Sequence, residues 1–217
     1  GFLLVDADWN CRSFHGDDTP MTDDPKSALP KPPESHIRDA MGLSSRVALG
    51  HRRLSILDLS FSGHQPMGTD GERYWLVYNG EIYNFSEVSR ELQRDGIFCR
   101  SRSDTEVLLK AYVHWGERCV ERFNGMFAFA IWDNHEKSLF CARDRIGIKP
   151  FYYTVHDGQF IFASDIKTII ASGLYSPRPD MEGVYFAMAF GMAPRPSTAF
   201  EGIKALEQAH WMRIRLD

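Results

Sequence analysis

The sequence is poor in cysteine: Cys11, Cys99, Cys119 and Cys141 are its only four among 217 residues, far apart and with no C-x-x-C pair. That spacing excludes a disulfide-stapled scaffold and a zinc cluster, and it agrees with a reducing, cytoplasmic compartment. An excess of positive charge is also lacking, since 25 Lys and Arg face 29 Asp and Glu for a formal net charge of −4. Nucleic-acid binding by bulk electrostatics is thereby excluded. No apolar stretch approaches the ~18 residues of a membrane span, and no basic segment precedes the apolar run Phe2–Val5, so a soluble chain that is not secreted is expected. There is no initiator methionine; the chain opens on Gly1. The patterns G-x-x-x-x-G-K-[ST], strand-linked G-x-G-x-x-G, H-E-x-x-H and G-x-S-x-G are all missing, which leaves nucleotide, dinucleotide, zinc-protease and serine-hydrolase chemistry without a carrier. The eight histidines are scattered and invite no metal assignment. What is plentiful is apolar matter, at 43% hydrophobic and 13% aromatic, enough to bury a sizeable core and exclude disorder of the whole chain.

Five of the 11 prolines (Pro20, Pro25, Pro30, Pro32, Pro33) fall within residues 12–46 among Asp, Ser and Lys, which predicts a long irregular loop there. Tyr74–Tyr78 reads as a strand of β-branched and aromatic residues entering a tight turn at Asn79-Gly80. Asn84 with Glu87 has the spacing of a capping box, followed by Val88 and Leu92 on one helical face and a stop at Gly96. Ser103 with Glu106 repeats the signature, and Val107, Leu108, Ala111, Tyr112 and Trp115 mark a longer helix up to Gly116. Met126–Trp132 with Ser138–Arg143, and Phe151–Val155 with Gln159–Ala163, read as two hairpins. Ser164 is expected to cap a helix over Asp165–Ser172, and Met181–Phe190 forms a last helix. Runs of strands with segregated helices imply an α+β fold, with sheets covered on both sides because strands such as Phe127–Ile131 are apolar throughout.

Several residues suit a polar, zwitterionic substrate. Arg53, at the edge of the apolar run Leu54–Leu57, can grip a carboxylate through two parallel hydrogen bonds, or it is a surface arginine of an edge strand. Asn79-Gly80 offers a side-chain amide beside an unobstructed backbone N–H, the donor pair of an oxyanion hole, or it is a hairpin turn. Glu81 and Asp104 can receive an ammonium group, or be solvated; for Asp104 a helix N-terminus favours an acid in any case.

These residues stand in longer phrases. Gly50–Ser60, Gln65-Pro66-Met67, Tyr78–Asn84, Ser103–Glu106, Gly125–Ala130, Arg143–Tyr153 and Ala163–Lys167 together resemble the class II glutamine amidotransferase domain of asparagine synthetases. The resemblance covers about residues 47–175, and weakly Pro194–Trp211. It implies a four-layer αββα sandwich of the N-terminal-nucleophile hydrolase type, two antiparallel sheets covered by helices. The amidotransferase domain would then occupy residues 1–175, and 176–217 would hold a last helix and strand and the start of a linker. The resemblance also implies roles: Arg53 for the glutamine α-carboxylate with Leu54 and Ile56 lining that pocket, Glu81 and Asp104 for the α-ammonium, Asn79 and the Gly80 N–H for the oxyanion. Arg143 and Asp144 are expected to brace the loop before Pro150.

In this family a cysteine that begins the mature chain attacks the carboxamide, with its own α-amino group, of reference pKa ~7.7–8.0, as base. The family's opening phrase, Cys-Gly-Ile-Ala-Gly-Phe, would put that cysteine ahead of Gly1-Phe2, and neither Cys11 nor the strand residue Cys141 replaces it. Ser35–Leu43 resembles the family's His-Arg-Gly-Pro-Asp region with its Gly-Pro lost and Arg38 in place of its arginine. The implied partners are L-glutamine and a synthetase domain of the same longer chain, with a homodimer left open. No cofactor is implied for this domain, ATP and Mg belonging to the synthetase domain. The implied function is hydrolysis of glutamine to glutamate and ammonia for transfer to aspartate. The alternatives are a catalytically silent glutamine-binding or docking module, and an acylase of the same fold, against which the paired carboxylate and ammonium grips argue.

Overall fold

The computed structural model describes residues 1–17, 19, 32–33, 35–52 and 63–216. Contacts group the chain into two units: Gly1–Gly125 with Phe129–Phe140 and Arg213–Asp217, and Met126–Ala128 with Cys141–Met212.

The first unit begins with a four-stranded sheet in the order β3-β2-β1-β4, formed by β1 (Phe2–Val5), β2 (Cys11–His15), β3 (Ser35–His36) and β4 (Val47–Gly50). β1 is its centre, antiparallel to β2 through Phe2↔Phe14 and to β4 through Phe2↔Gly50, so Leu3 and Val5 are wholly buried. Residues 12–46, expected as one irregular loop, therefore carry regular structure at both ends, including a 3-10 turn over Ile37–Ala40; the prolines Pro20, Pro25 and Pro30 lie outside the described residues. The alternation in Cys11–His15 is too short to outweigh the neighbouring prolines when read alone, and it becomes a strand because β1 supplies a ladder.

A second sheet runs β12-β8-β7-β6-β5, built from β5 (Met67–Gly68), β6 (Tyr74–Ile82), β7 (Gly125–Asp133), β8 (Ser138–Arg143) and β12 (Trp211–Arg215). Every residue of β8 is buried, as is β7 from Phe127 onward, which bears out the expectation of sheets covered on both faces. Helices α1 (Phe85–Arg94) and α2 (Asp104–Trp115) turn Val88 and Leu92, and Val107, Leu108, Ala111 and Tyr112, into the core; the Tyr112 ring stacks on Phe140 at 5.2 Å. The turn between β7 and β8 is tied by Asp133, which accepts from the His135 and Glu136 amides and from Arg73.

Two capping boxes differ from expectation. The Asn84 side chain makes no cap; it accepts from the Asn124 amide (2.8 Å) and donates to the Arg122 carbonyl (2.9 Å), tying the start of α1 to the approach of β7. Ser103 does cap α2 through the Thr105 amide, but Glu106 reaches the loop before the helix instead of the cap.

The second unit has a three-stranded antiparallel sheet, β10-β9-β11, from β9 (Tyr152–His156), β10 (Gln159–Ala163) and β11 (Lys204–Ala205). Ile169 of α3 (Ile166–Ala171) packs with Tyr175 and Ile203 beside it. α3 is capped by Asp165 through the Lys167 amide, one residue later than the expected Ser164. Residues 176–217, expected as a last helix and strand and the start of a linker, hold α4 (Met181–Phe190), β11 and β12. α4 lies directly on backbone: a Cβ on Gly183 would come within 2.0 Å of the Thr198 carbonyl oxygen.

Arg143 and Asp144 brace the loop before Pro150, as expected, by binding main chain. Arg143 donates to the Lys149, Leu206 and Gly147 carbonyls at 2.5–2.7 Å, and the Asp144 carboxylate accepts four amides, from Phe127, Ile146, Ile148 and Lys149. Burial alone would raise the Asp144 carboxyl, but these donors outweigh it and hold the group below the usual carboxylate range.

Candidate functional site

The expected turn at Asn79-Gly80 is not formed. Strand β6 runs straight through both residues to Ile82, next to β7 in the sheet order. Asn-Gly turns a chain only where the following residues fold back on the preceding ones. Here Tyr83 instead donates to Asn124 at 2.8 Å and Gly125 lies so close to the Glu81–Ile82 backbone that a Cβ would meet the Glu81 carbonyl oxygen at 2.2 Å. The result holds Asn79, Gly80 and Glu81 half-buried in consecutive positions of a strand, where an amide side chain, a glycine N–H and a carboxylate are presented in extended geometry.

Asp104 is the first residue of α2 and only 7% exposed. Its Oδ2 accepts the Tyr78 hydroxyl at 2.7 Å and the Ile82 amide at 3.1 Å, bringing it against the same stretch of β6 that carries Asn79, Gly80 and Glu81. Four sequence-derived candidates, Asn79, Gly80, Glu81 and Asp104, thus share one locality in the first unit. Arg53, Leu54 and Ile56 lie outside the described residues.

The entry to α2 is stiff. The Glu106 carboxylate accepts from the Arg100 and Ser101 amides (2.9 and 2.6 Å) and the Ser101 hydroxyl (2.7 Å), and pairs with Lys110 at 2.8 Å. Burial pushes Glu106 up, but Lys110, Ser101 and the amides together bring it below its ordinary value.

Two residues that the sequence did not single out as site residues complete the arrangement. Tyr78 is buried, its hydroxyl on Asp104 and its amide donating to Gln65 Oε1 at 2.6 Å. The available signal was a hydroxyl-bearing aromatic in the run Trp75-Leu76-Val77-Tyr78, which needs a partner once buried. Gln65 follows His64, and both crowd the chain start: a Cβ on Gly1 would stand 2.3 Å from His64 Nε2 and 2.6 Å from the Gln65 carbonyl oxygen. Gly1 also exchanges backbone hydrogen bonds with His51, 2.8 and 3.0 Å, prolonging the β1–β4 ladder. The start of β1 and Tyr78, the neighbour of Asn79, therefore share the segment 64–65 as a common support.

Elsewhere, Cys141 is wholly buried in β8 and Cys11 is half-buried in β2; burial pushes the Cys119 thiol up to about 12 and Cys141 well above its ordinary value. Arg38 pairs with Asp17 at 2.8 Å on the surface. Among the described residues no group of three His, Cys, Asp or Glu side chains is arranged to hold a metal ion, and no helix is long and apolar enough to cross a membrane.

The family profile described as "Glutamine amidotransferase domain" matches residues 38–217. Asparagine synthetase [glutamine-hydrolyzing] 3 of Bacillus subtilis is 42% identical over 174 residues, 79% of this chain and 28% of that protein. Putative asparagine synthetase [glutamine-hydrolyzing] 2 of Methanocaldococcus jannaschii is 38% identical over 187 residues, 79% of this chain and 36% of that protein. The chain thus spans about a third or less of these relatives' length. Among solved structures, the glutamine phosphoribosylpyrophosphate amidotransferase of B. subtilis superposes with a TM-score of 0.54 at 18% identity, over 76% of this chain and 35% of that one. That identity speaks for the fold alone, which is α+β of the N-terminal-nucleophile type expected above.

Proposed function

Because the chain belongs to the glutamine amidotransferase domain family, we propose that it binds L-glutamine and forms the glutaminase part of an asparagine-synthetase-like enzyme. The observation that carries this reading is Asp104 standing at the N-terminus of α2 against the stretch of β6 that holds Asn79, Gly80 and Glu81. An α-ammonium needs buried or half-buried carboxylates, and Asp104 and Glu81 supply them; the α-carboxylate is assigned to Arg53 with Leu54 and Ile56 beside it. The Asn79 amide and the Gly80 N–H are donors suited to an oxygen that gains charge, and β6 fixes the backbone that carries both before any reaction begins.

In the proposed reaction a cysteine preceding Gly1 adds its sulfur to the glutamine side-chain carbonyl, and the proton it gives up reaches the leaving nitrogen through the cysteine's α-amino group. Ammonia departs, and water hydrolyses the thioester to glutamate and free thiol. Gly1 lies beside His64 and Gln65, and Gln65 in turn holds Tyr78, the neighbour of Asn79, which supports the chain start and β6 serving one site. Ammonia then passes to aspartate in an ATP- and Mg-using synthetase portion of the longer protein. The relatives' names, glutamine-hydrolysing, favour this over a silent docking module.

The test is glutamate release from glutamine by protein carrying Cys-Gly-Ile-Ala ahead of Gly1. Turnover that falls 10²–10³-fold on Asn79→Ala is expected from the usual worth of one oxyanion donor. Folded protein that binds glutamine without turnover overturns the hydrolase, and folded protein that does not bind glutamine overturns the substrate.

A further inference from the structure

We infer that Tyr78 is a positioning residue that aims the Asp104 carboxylate and thereby makes the site select ligands bearing an α-ammonium group. The inference rests on the glutamine reading above. Each carboxylate oxygen offers about two acceptor sites. Oδ2 of Asp104 has both filled by protein donors, the Tyr78 hydroxyl at 2.7 Å and the Ile82 amide at 3.1 Å. Among the described residues no hydrogen bond engages Oδ1, and it is this oxygen that we assign to a cation.

Without such a hold, an aspartate in the first turn of a helix folds its carboxylate back onto the open helix amides. Here that option is reduced, because Ser103 Oγ already takes the Thr105 amide. The hold itself is rigid at both ends. Tyr78 is 4% exposed and its own amide is fastened to Gln65 Oε1, while the loop leading to Asp104 is fastened by Glu106. Burial and the adjacent Asp104 push the phenol far above its ordinary range, so Tyr78 remains a donor at any working pH. A donor that never titrates suits orientation and not proton transfer.

The readout is a ratio of affinities, for L-glutamine and for 4-carbamoylbutanoate, which is glutamine without its amino group, measured by NMR titration into the millimolar range. In Tyr78→Phe, glutamine affinity is expected to fall about 10-fold, the scale of one hydrogen bond to a charged group, while the des-amino ligand changes less than about 2-fold. Asp104→Asn gives the same split, larger. Tyr78→Met removes the hydroxyl with different packing and should reproduce the split if the phenylalanine variant folds poorly. Equal weakening of both ligands, or unchanged glutamine affinity, overturns the positioning role while leaving glutamine as the substrate. A parent protein that binds neither ligand overturns both readings together.

Discussion

Replacing Asp144 with asparagine changes one oxygen for an NH2 group and nothing in size. In the native structure Oδ1 accepts from the Ile146 amide (3.1 Å) and the Ile148 amide (2.9 Å), and Oδ2 from the Lys149 amide (3.0 Å) and the Phe127 amide (3.2 Å). The side chain is 1% exposed, so water cannot substitute. Whichever way the new amide is turned, two backbone N–H donors face a group that cannot accept. At about 1–3 kcal/mol for each buried donor left without a partner, Asp144→Asn is expected to cost about 2–6 kcal/mol. Urea denaturation reads this as a lower midpoint with an unchanged slope, and hydrogen exchange at Ile146, Ile148 and Lys149 should quicken before the rest of the chain. Acid supplies an internal check. Since the folded-state pKa of Asp144 lies below that of an unfolded aspartate, ~3.9, its contribution is complete above that value and fades as pH falls through the folded pKa. The gap between parent and variant must therefore narrow in acid. A cost under about 1 kcal/mol at neutral pH, or a gap that widens on acidification, refutes the reasoning.

Gly125→Ala forces a Cβ to 2.2 Å from the Glu81 carbonyl oxygen and 2.9 Å from the Ile82 Cα, backbone that yields little, so a loss of at least about 1–3 kcal/mol in urea titrations and weaker glutamine binding through Glu81 are expected. Ser103→Ala removes the cap of α2 and should lower stability by about 1 kcal/mol, seen as a drop of about 2–4 °C in Tm. Buried thiols react slowly, so an aromatic disulfide reagent at neutral pH should label the half-buried Cys11 and Cys99 first, and Cys119 and Cys141 only on unfolding; rapid native labelling of Cys141 would contradict its position in β8.

The parts of the fold that were legible are those whose cause is local. The apolar spacing from Val107 to Tyr112 between the Ser103 cap and Gly116 makes α2 a helix wherever it lies, and the hairpins β7–β8 and β9–β10 follow from apolar runs broken by polar turns. Local signals failed where a distant group competed for the same atoms. Asn84 has the chemistry of a cap, but Asn124 and Arg122, about 40 residues away, take its side chain. Asn79-Gly80 has the chemistry of a turn, but β6 keeps its extended course beside Gly125. Cys11–His15 has little strand signal of its own and pairs because β1 is there to pair with.

The candidate site divides in the same way. The motif phrases carried the expectation that Asn79, Gly80, Glu81 and Asp104 serve one site with Arg53, Leu54 and Ile56, because side-chain chemistry is a property of the sequence. Which oxygen of Asp104 is held, and by what, was decided only by the tertiary structure. Tyr78 and Asp104 are 26 residues apart in the chain and 2.7 Å apart in space, and no periodicity along the chain encodes a hydrogen bond between the face of one strand and the first turn of a separate helix.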